Sequence, residues 1–106
     1  MTESRAYTQE EVREQLLGHI QHLCHYWATV KLTDTPDTIR ERLDGLAFSI
    51  LTMIDGCSGL PAFDLIPAPH EEDKAFAINE GENWYDKEVI NECQLHELFS
   101  SLHKNV

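Results

Sequence analysis

The sequence has few positive charges for its length. Its 106 residues include eight lysines and arginines against nineteen aspartates and glutamates, which gives a formal net charge of −11. Binding to a phosphate backbone depends on clustered cations, so this composition predicts no direct nucleic-acid binding and favours a protein partner with a basic surface. The length fits one core, and we expect a single domain over residues 1–106 with residues 1–7 as a flexible N-terminus.

Cysteine and long apolar runs are also scarce. Cys24, Cys57 and Cys93 are odd in number and form no CxxC pair, so neither a disulfide framework nor a thiolate zinc site is predicted. No window approaches the roughly 20 apolar residues that a membrane span requires, and the N-terminal residues contain no apolar signal segment. We therefore expect a cytoplasmic protein that does not bind membranes.

Motifs for covalent catalysis and for nucleotide binding are missing. No serine lies in a nucleophile elbow. Cys24 and Cys93 occupy positions typical of inert core cysteines, which leaves Cys57 as the one candidate for a reactive thiol. The stretch DGCSG lacks the lysine and the spacing of a phosphate-binding loop. These absences favour a non-enzymatic protein without a cofactor.

A first helix is predicted near the N-terminus. Thr8 followed by Glu11 has the S/T-x-x-E spacing of a capping box, which is typical of a helix start. The helix should run to about Lys31, with Gly18 marking a close crossing of another helix. Apolar residues at steps of three and four form its stripe: Val12, Leu16, Ile20, Leu23, Trp27 and Val30.

The stretch LTDTPDTIRERLDGLAFSILTMIDG predicts a second helix, with Thr35 as N-cap, Pro36 as first helical residue and Gly56 as stop. The short link 33–35 predicts that the two helices form an antiparallel hairpin. Because its second half is apolar on nearly all sides, we expect this helix to be the most buried. Its main stripe is Ile39, Leu43, Leu46, Ile50 and Met53.

A proline-rich stretch follows the second helix. Three prolines in residues 61–69 exclude a helix and limit the apolar run 63–66 to an edge strand or an extended segment. Residues 74–79 could pair with that run as a two-stranded ribbon, or they could belong to a short helix over 70–80. Periodicity leaves both alternatives open.

A third long helix is predicted from about Asn91, because apolar residues recur there at near-helical spacing. The predicted fold is therefore mainly α, with α+β as the alternative. It comprises an antiparallel helical hairpin, a C-terminal helix against it, and the extended segment or short ribbon between them. The C-terminal apolar residues are Ile90, Leu95, Leu98, Phe99 and Leu102.

Histidines supply two candidate metal sites. His19, His22 and His25 step by three along the first helix, but each step turns back by about 60°, so at most two of them could share an ion. A polar helix face is the simpler interpretation.

The second candidate combines His70 and Asp73 with His96 on the last helix. If these segments meet, the three could bind a divalent ion and support acid–base chemistry. The alternative is that residues 69–73 form a capped helix start, where carboxylates offset the helix dipole.

The negative charge is concentrated in the second half. Residues 71–97 hold nine carboxylates and two lysines, so they carry seven of the eleven net negative charges. Gly81 permits a turn there. Trp84 is expected to anchor this segment to the core together with Phe76 and Ile78, and Tyr85 to be exposed. The predicted binding surface consists of Glu80, Glu82, Asn83, Trp84, Tyr85, Asp86 and Glu88.

The stretches RERLDGLAFSILTMIDG, DLIPAPHEEDK, NEGENWYD and LHELF resemble a family of small, functionally uncharacterised bacterial and phage-associated proteins. That family's pattern is an LxGLAFSIL helix, a proline-rich stretch, an HxxDK and a GEN-aromatic segment. The resemblance covers residues 40–99 and implies an origin in a bacterial cytoplasm or a mobile element. It adds no catalytic residue.

These observations favour a non-enzymatic interaction or regulatory protein whose acidic second half meets a basic partner. The most specific version of this hypothesis is a phage-type inhibitor that imitates a phosphate array and occupies a basic groove. A small metal-dependent hydrolase using His70, Asp73 and His96 is the alternative, and a structural subunit is a third class. The apolar breadth of the second helix suggests a homodimer.

Overall fold

The structure is a computed structural model that describes residues 4–32 and 38–104, with side chains described to residue 101. Its helices confirm the predicted mainly α fold, and no strand occurs in those two ranges. The helices are α1 (Gln9–Thr29), α2 (Thr38–Ile54), α3 (Glu71–Glu80) and α4 (Leu95–Lys104).

The capping box at the start of α1 is confirmed. The Glu11 N–H donates to Thr8 Oγ1 at 3.1 Å, and the Thr8 N–H donates to Glu11 Oε1 at 2.9 Å. Arg5 adds an ion pair with Glu11 at 2.7 Å. The hydrogen bond from Arg5 has the largest effect on Glu11 and that from the Thr8 backbone N–H the next largest, and together they lower the pKa of Glu11 to about 2. A carboxylate at this position also faces the positive end of the helix dipole.

The predicted stop of α2 is confirmed as well. The helix ends at Ile54, and Gly56 takes a φ of +83°, a left-handed conformation that favours glycine. A Cβ at Gly56 would lie 2.8 Å from Cβ of Ala62, so the returning chain also needs the small residue. The predicted N-cap Thr35, Pro36 and the link 33–35 lie outside the described residues, so the hairpin connection stays a prediction.

Trp27 is the centre of the contact between α1 and α2. Its indole N–H donates to Ser49 Oγ at 2.9 Å, and Arg42 Nη1 donates to its carbonyl oxygen at 2.6 Å. A Cβ at Gly45 would overlap the Trp27 ring. The ring therefore lies directly on the backbone of α2. The close crossing predicted at Gly18 is wrong, since nothing lies within 4 Å of a Cβ placed there.

The core of the described residues is small. Met53, 1% exposed, and Ala77, 7% exposed, are their buried apolar side chains. Met53 lies in the second half of α2, the half that the sequence shows to be apolar on nearly all sides. The first half of α2 is open, because Ile39 is 74% exposed and Leu43 is 58% exposed.

The radius of gyration is 18.4 Å, whereas a compact domain of this length has about 13 Å. The chain therefore has an open shape.

Helix α3 lies apart from the other helices. Packing occurs between α1 and α2 and between α2 and α4, whereas α3 packs against no other described helix. Residues 74–79 belong to α3, so the ribbon alternative is wrong. The expected packing of Phe76, Ile78 and Trp84 over the helical core is also wrong, because α3 does not reach it and these side chains are 62%, 54% and 44% exposed. Residues 66–90 are called the arm below.

The two ends of the arm are joined through Asn91. Its side-chain amide donates to the Phe63 carbonyl oxygen at 2.6 Å, and its Oδ1 accepts from the Leu65 N–H at 2.7 Å. The Ile90 N–H donates to the Leu65 carbonyl oxygen at 2.9 Å. Because Asn91 is used in this way, α4 begins at Leu95 rather than at the predicted Asn91.

Two glycine-to-alanine substitutions test the helix contact. Gly45→Ala should lower the free energy of unfolding by about 1–3 kcal/mol, because the new methyl group overlaps the Trp27 ring and overpacking outweighs the gain in helix propensity. Urea unfolding followed by circular dichroism measures this change.

Gly18→Ala is the matched control, since it has the same chemistry in a helix with open space around it. It should raise the free energy of unfolding by about 0.5–1 kcal/mol. Equal effects of the two substitutions would contradict the close approach at Gly45.

Candidate functional site

The arm presents the predicted acidic surface to solvent. Glu80, Glu82, Asn83, Asp86 and Glu88 are exposed. Tyr85 is 76% exposed, as predicted. Glu71, Glu72 and Asp73 form the acidic first turn of α3, where carboxylates are favoured by the helix dipole.

The turn after α3 positions the aromatic residues. Gly81 has a φ of +71°, and its N–H donates to the carbonyl oxygens of Ala77 and Ile78. The Glu82 N–H donates to the Ala77 carbonyl oxygen at 2.8 Å. This left-handed helix end reverses the chain, so the residues that follow return along α3.

A cleft of about 230 Å³ lies between α3 and the returning chain. It brings together two carboxylates and three aromatic rings from residues 73–85. Asp73, Phe76, Glu82, Trp84 and Tyr85 line it, together with Pro69, Lys74, Ala77 and Asn83. Negative charge beside exposed aromatic faces is a suitable environment for a cationic side chain.

Lys74 already occupies part of this environment. Its ammonium lies 5.6 Å from the centroid of the Trp84 ring and 3.2 Å from Asp86 Oδ1. Lys74 and Asp86 are both about half exposed, so this ion pair stabilises the arm only weakly. The contact places a cation of the chain itself beside an aromatic ring and a carboxylate.

The residues of the predicted metal site lie in different surroundings. His70 is the exposed N-cap of α3 and makes no side-chain capping bond, Asp73 lines the arm cleft, and the ring of His96 is bonded to Asp55. Within the described residues, no three His, Cys, Asp or Glu side chains are placed to hold one metal ion. The metal site stays a prediction.

The first-helix histidines contribute to a groove rather than to a cluster. His19 and His22 line an apolar cleft of about 400 Å³ between α1 and α2, beside Tyr26 and Phe48. His25 is exposed.

The three cysteines are free and exposed. The expectation that Cys24 and Cys93 are core residues is therefore wrong, because Cys24 lies on the exposed surface of α1 and Cys93 in the exposed segment before α4.

Asp55 and His96 form a contact that the sequence pattern does not reveal. Asp55 follows the last residue of α2, and its side chain is 1% exposed. Its Oδ2 accepts from the His96 backbone N–H at 2.9 Å and pairs with His96 Nδ1 at 2.6 Å. The His96 ring also meets Phe48 edge-on, with 5.4 Å between the ring centroids. One carboxylate therefore fixes the start of α4 against α2.

The pKa of Asp55 reflects this contact. Burial acts to raise it, but hydrogen bonds from the backbone and ring of His96 outweigh burial and hold the pKa below its ordinary value of 3.8. The Oδ1 atom has no hydrogen-bond partner among the described residues. The carboxylate thus stays ionised in a buried position because α4 supplies its donors.

Comparison of the chain with models of protein families, with curated proteins and with solved structures found no match. In the described part of the chain, no helix is both long enough and apolar enough to cross a membrane.

The Asp55 contact predicts a pH-dependent stability. Since folding lowers the pKa of Asp55, its carboxylate stabilises the fold above pH 3.8, and this contribution is lost as the pH falls through the lower folded-state pKa. Asp55→Asn should lower the free energy of unfolding near neutral pH by about 1.5–3 kcal/mol, the usual effect of hydrogen bonds to a charged group. Urea unfolding of both proteins at a series of pH values measures the difference.

That difference should shrink once the pH is below 3.8. Asp64→Asn is the control, since it removes an exposed carboxylate and should change stability by less than about 0.5 kcal/mol. A difference for Asp55→Asn that persists unchanged into acid would contradict the role of the charge.

Proposed function

We propose that the protein is a non-enzymatic interaction or regulatory protein whose arm binds a basic surface of another protein. The observation that carries this proposal is the arm cleft, where the carboxylates of Asp73 and Glu82 lie beside Trp84 and Tyr85. These side chains are exposed, and the helix that bears Asp73 packs against no other described helix. Their placement is therefore better explained by binding than by folding.

The chemistry of the cleft favours an arginine or lysine side chain as the group recognised. A cation over an aromatic face gains about 0.5–1 kcal/mol at an exposed site and more once water is excluded. Arginine fits such a site best, because its planar guanidinium can stack on a ring and pair with a carboxylate at once. The position of Lys74 over Trp84 supports this reasoning.

The charge distribution supports the same partner class. Seven of the eleven net negative charges lie in residues 71–97, a range that includes α3 and the loop after it. A concentrated field of one sign accelerates encounter with a surface of the opposite sign, and the effect weakens with salt. The most specific version of this proposal is an inhibitor that occupies a basic groove of its partner protein.

No specific observation favours the metal-dependent hydrolase over the interaction protein. His96 is held by Asp55, whereas His70 and Asp73 belong to the arm. The homodimer is a separate proposal, since it rests on the helix pair and not on the arm.

Binding of an arginine-rich peptide tests the arm directly. Asp73→Asn combined with Glu82→Gln should weaken binding about tenfold, because two charge contacts worth together about 1.4 kcal/mol are lost. Calorimetric titration at two salt concentrations measures the affinity. The same peptide with citrulline in place of arginine keeps the shape, removes the charge, and should not bind.

Glu10→Gln combined with Glu14→Gln is the matched control, because it removes two exposed carboxylates from α1 and gives the same net charge. Its affinity should change less than about threefold, since α1 does not pack against α3 and salt screens more distant charges. Lys74→Gln removes the internal cation over Trp84 and should tighten binding. Equal losses in the two double variants would show a general charge effect and contradict the cleft.

A further inference from the structure

The chain exposes more surface than a compact monomer. Its accessible area is 8833 Å², whereas a folded monomer of 12.2 kDa exposes about 6,100 Å². The excess is about 2,700 Å². An obligate homodimer typically buries about 2,000–5,000 Å² in total, or half of that on each chain. The excess is thus large enough to supply such an interface.

An apolar strip on the α1–α2 pair forms part of this excess. Leu17 is 54% exposed, Ile39 74% and Leu43 58%, and Cys24 and Ala28 are exposed as well. Leu17, Cys24 and Ala28 follow at steps of seven and four, which places them on one face of α1. A cleft of about 240 Å³ connects Cys24 and Ala28 to Ile39 and Leu43 on α2. These five residues are called the α1–α2 strip.

Exposed charge on this face of α1 lies before the strip, at Glu10 and Glu14. The residues that line the cleft of the strip include no carboxylate, and their one cation, Arg42, donates to the Trp27 carbonyl oxygen. Two copies can therefore meet at this face without bringing carboxylates of the cleft together. The helix of the arm cannot serve as its cover, since α3 packs against no other described helix.

We infer that a second copy of the chain covers the α1–α2 strip. Apolar helix faces need a second layer to exclude water, and two helix pairs packed face to face form a four-helix arrangement. In a dimer with a twofold axis, the strip of each copy contacts the strip of the other, so the interface needs only this one surface. Association then buries apolar surface on the open half of α2, and stability rises with protein concentration.

Sedimentation of the full chain over a range of concentrations tests this inference. The wild-type chain should be a dimer, and Leu43→Glu should convert it to a monomer. Ile78→Glu is the matched control, because Ile78 is 54% exposed against 58% for Leu43 but lies on the arm. It should leave the dimer intact. A wild-type chain that is monomeric throughout, or a dimer that survives Leu43→Glu, overturns the inference.

Cysteine alkylation of the wild-type chain covers the case in which Leu43→Glu fails to fold. Cys24 lies in the strip, whereas Cys93 is exposed outside it. Dimer formation should slow the reaction of Cys24 relative to Cys93 at least about tenfold, and dilution should abolish the difference. Equal rates at high concentration overturn the inference.

Discussion

The indole of Trp27 lies directly on the backbone of α2 at Gly45, and the arrangement of the helices depends on that contact. The Trp27 indole N–H donates to Ser49, and Arg42 donates to the backbone carbonyl oxygen of Trp27. These two hydrogen bonds join α1 to α2. Helix α4 is then placed by Asp55 at the end of α2. Few apolar side chains are buried around these contacts, so a small number of directional bonds holds the helices together.

The arm and the helices have different physical characters. The helix pair leaves an apolar strip exposed whose cleft is lined by no carboxylate, and such a strip is suited to burial against a similar surface. The arm carries carboxylates and aromatic rings, which are suited to a cation. Asn91 ties the ends of the arm together through two hydrogen bonds to the backbone of residues 63 and 65. The arm can therefore present its cleft without packing on the helices.

Features that depend on neighbouring residues could be predicted from the sequence. The capping box of Thr8 and Glu11 and the left-handed glycines Gly56 and Gly81 act within a few residues, so their patterns are specific.

Features that join distant segments could not be predicted in this way. Asp55 meets a histidine 41 residues away, and Asn91 binds the backbone 28 residues before it. The exposure of Phe76 and Ile78 also escaped prediction, because an apolar side chain in the sequence does not specify whether its own chain or another molecule covers it.

We propose that the arm binds a basic partner and leaves the helix pair unchanged. The chain has two tryptophans, Trp27 in the helix pair and Trp84 in the arm cleft, so their indole N–H signals in an NMR spectrum report on the two parts separately. Titration with an arginine-rich peptide should shift the Trp84 signal progressively and leave the Trp27 signal in place. A shift of the Trp27 signal with the Trp84 signal unmoved would contradict binding at the arm.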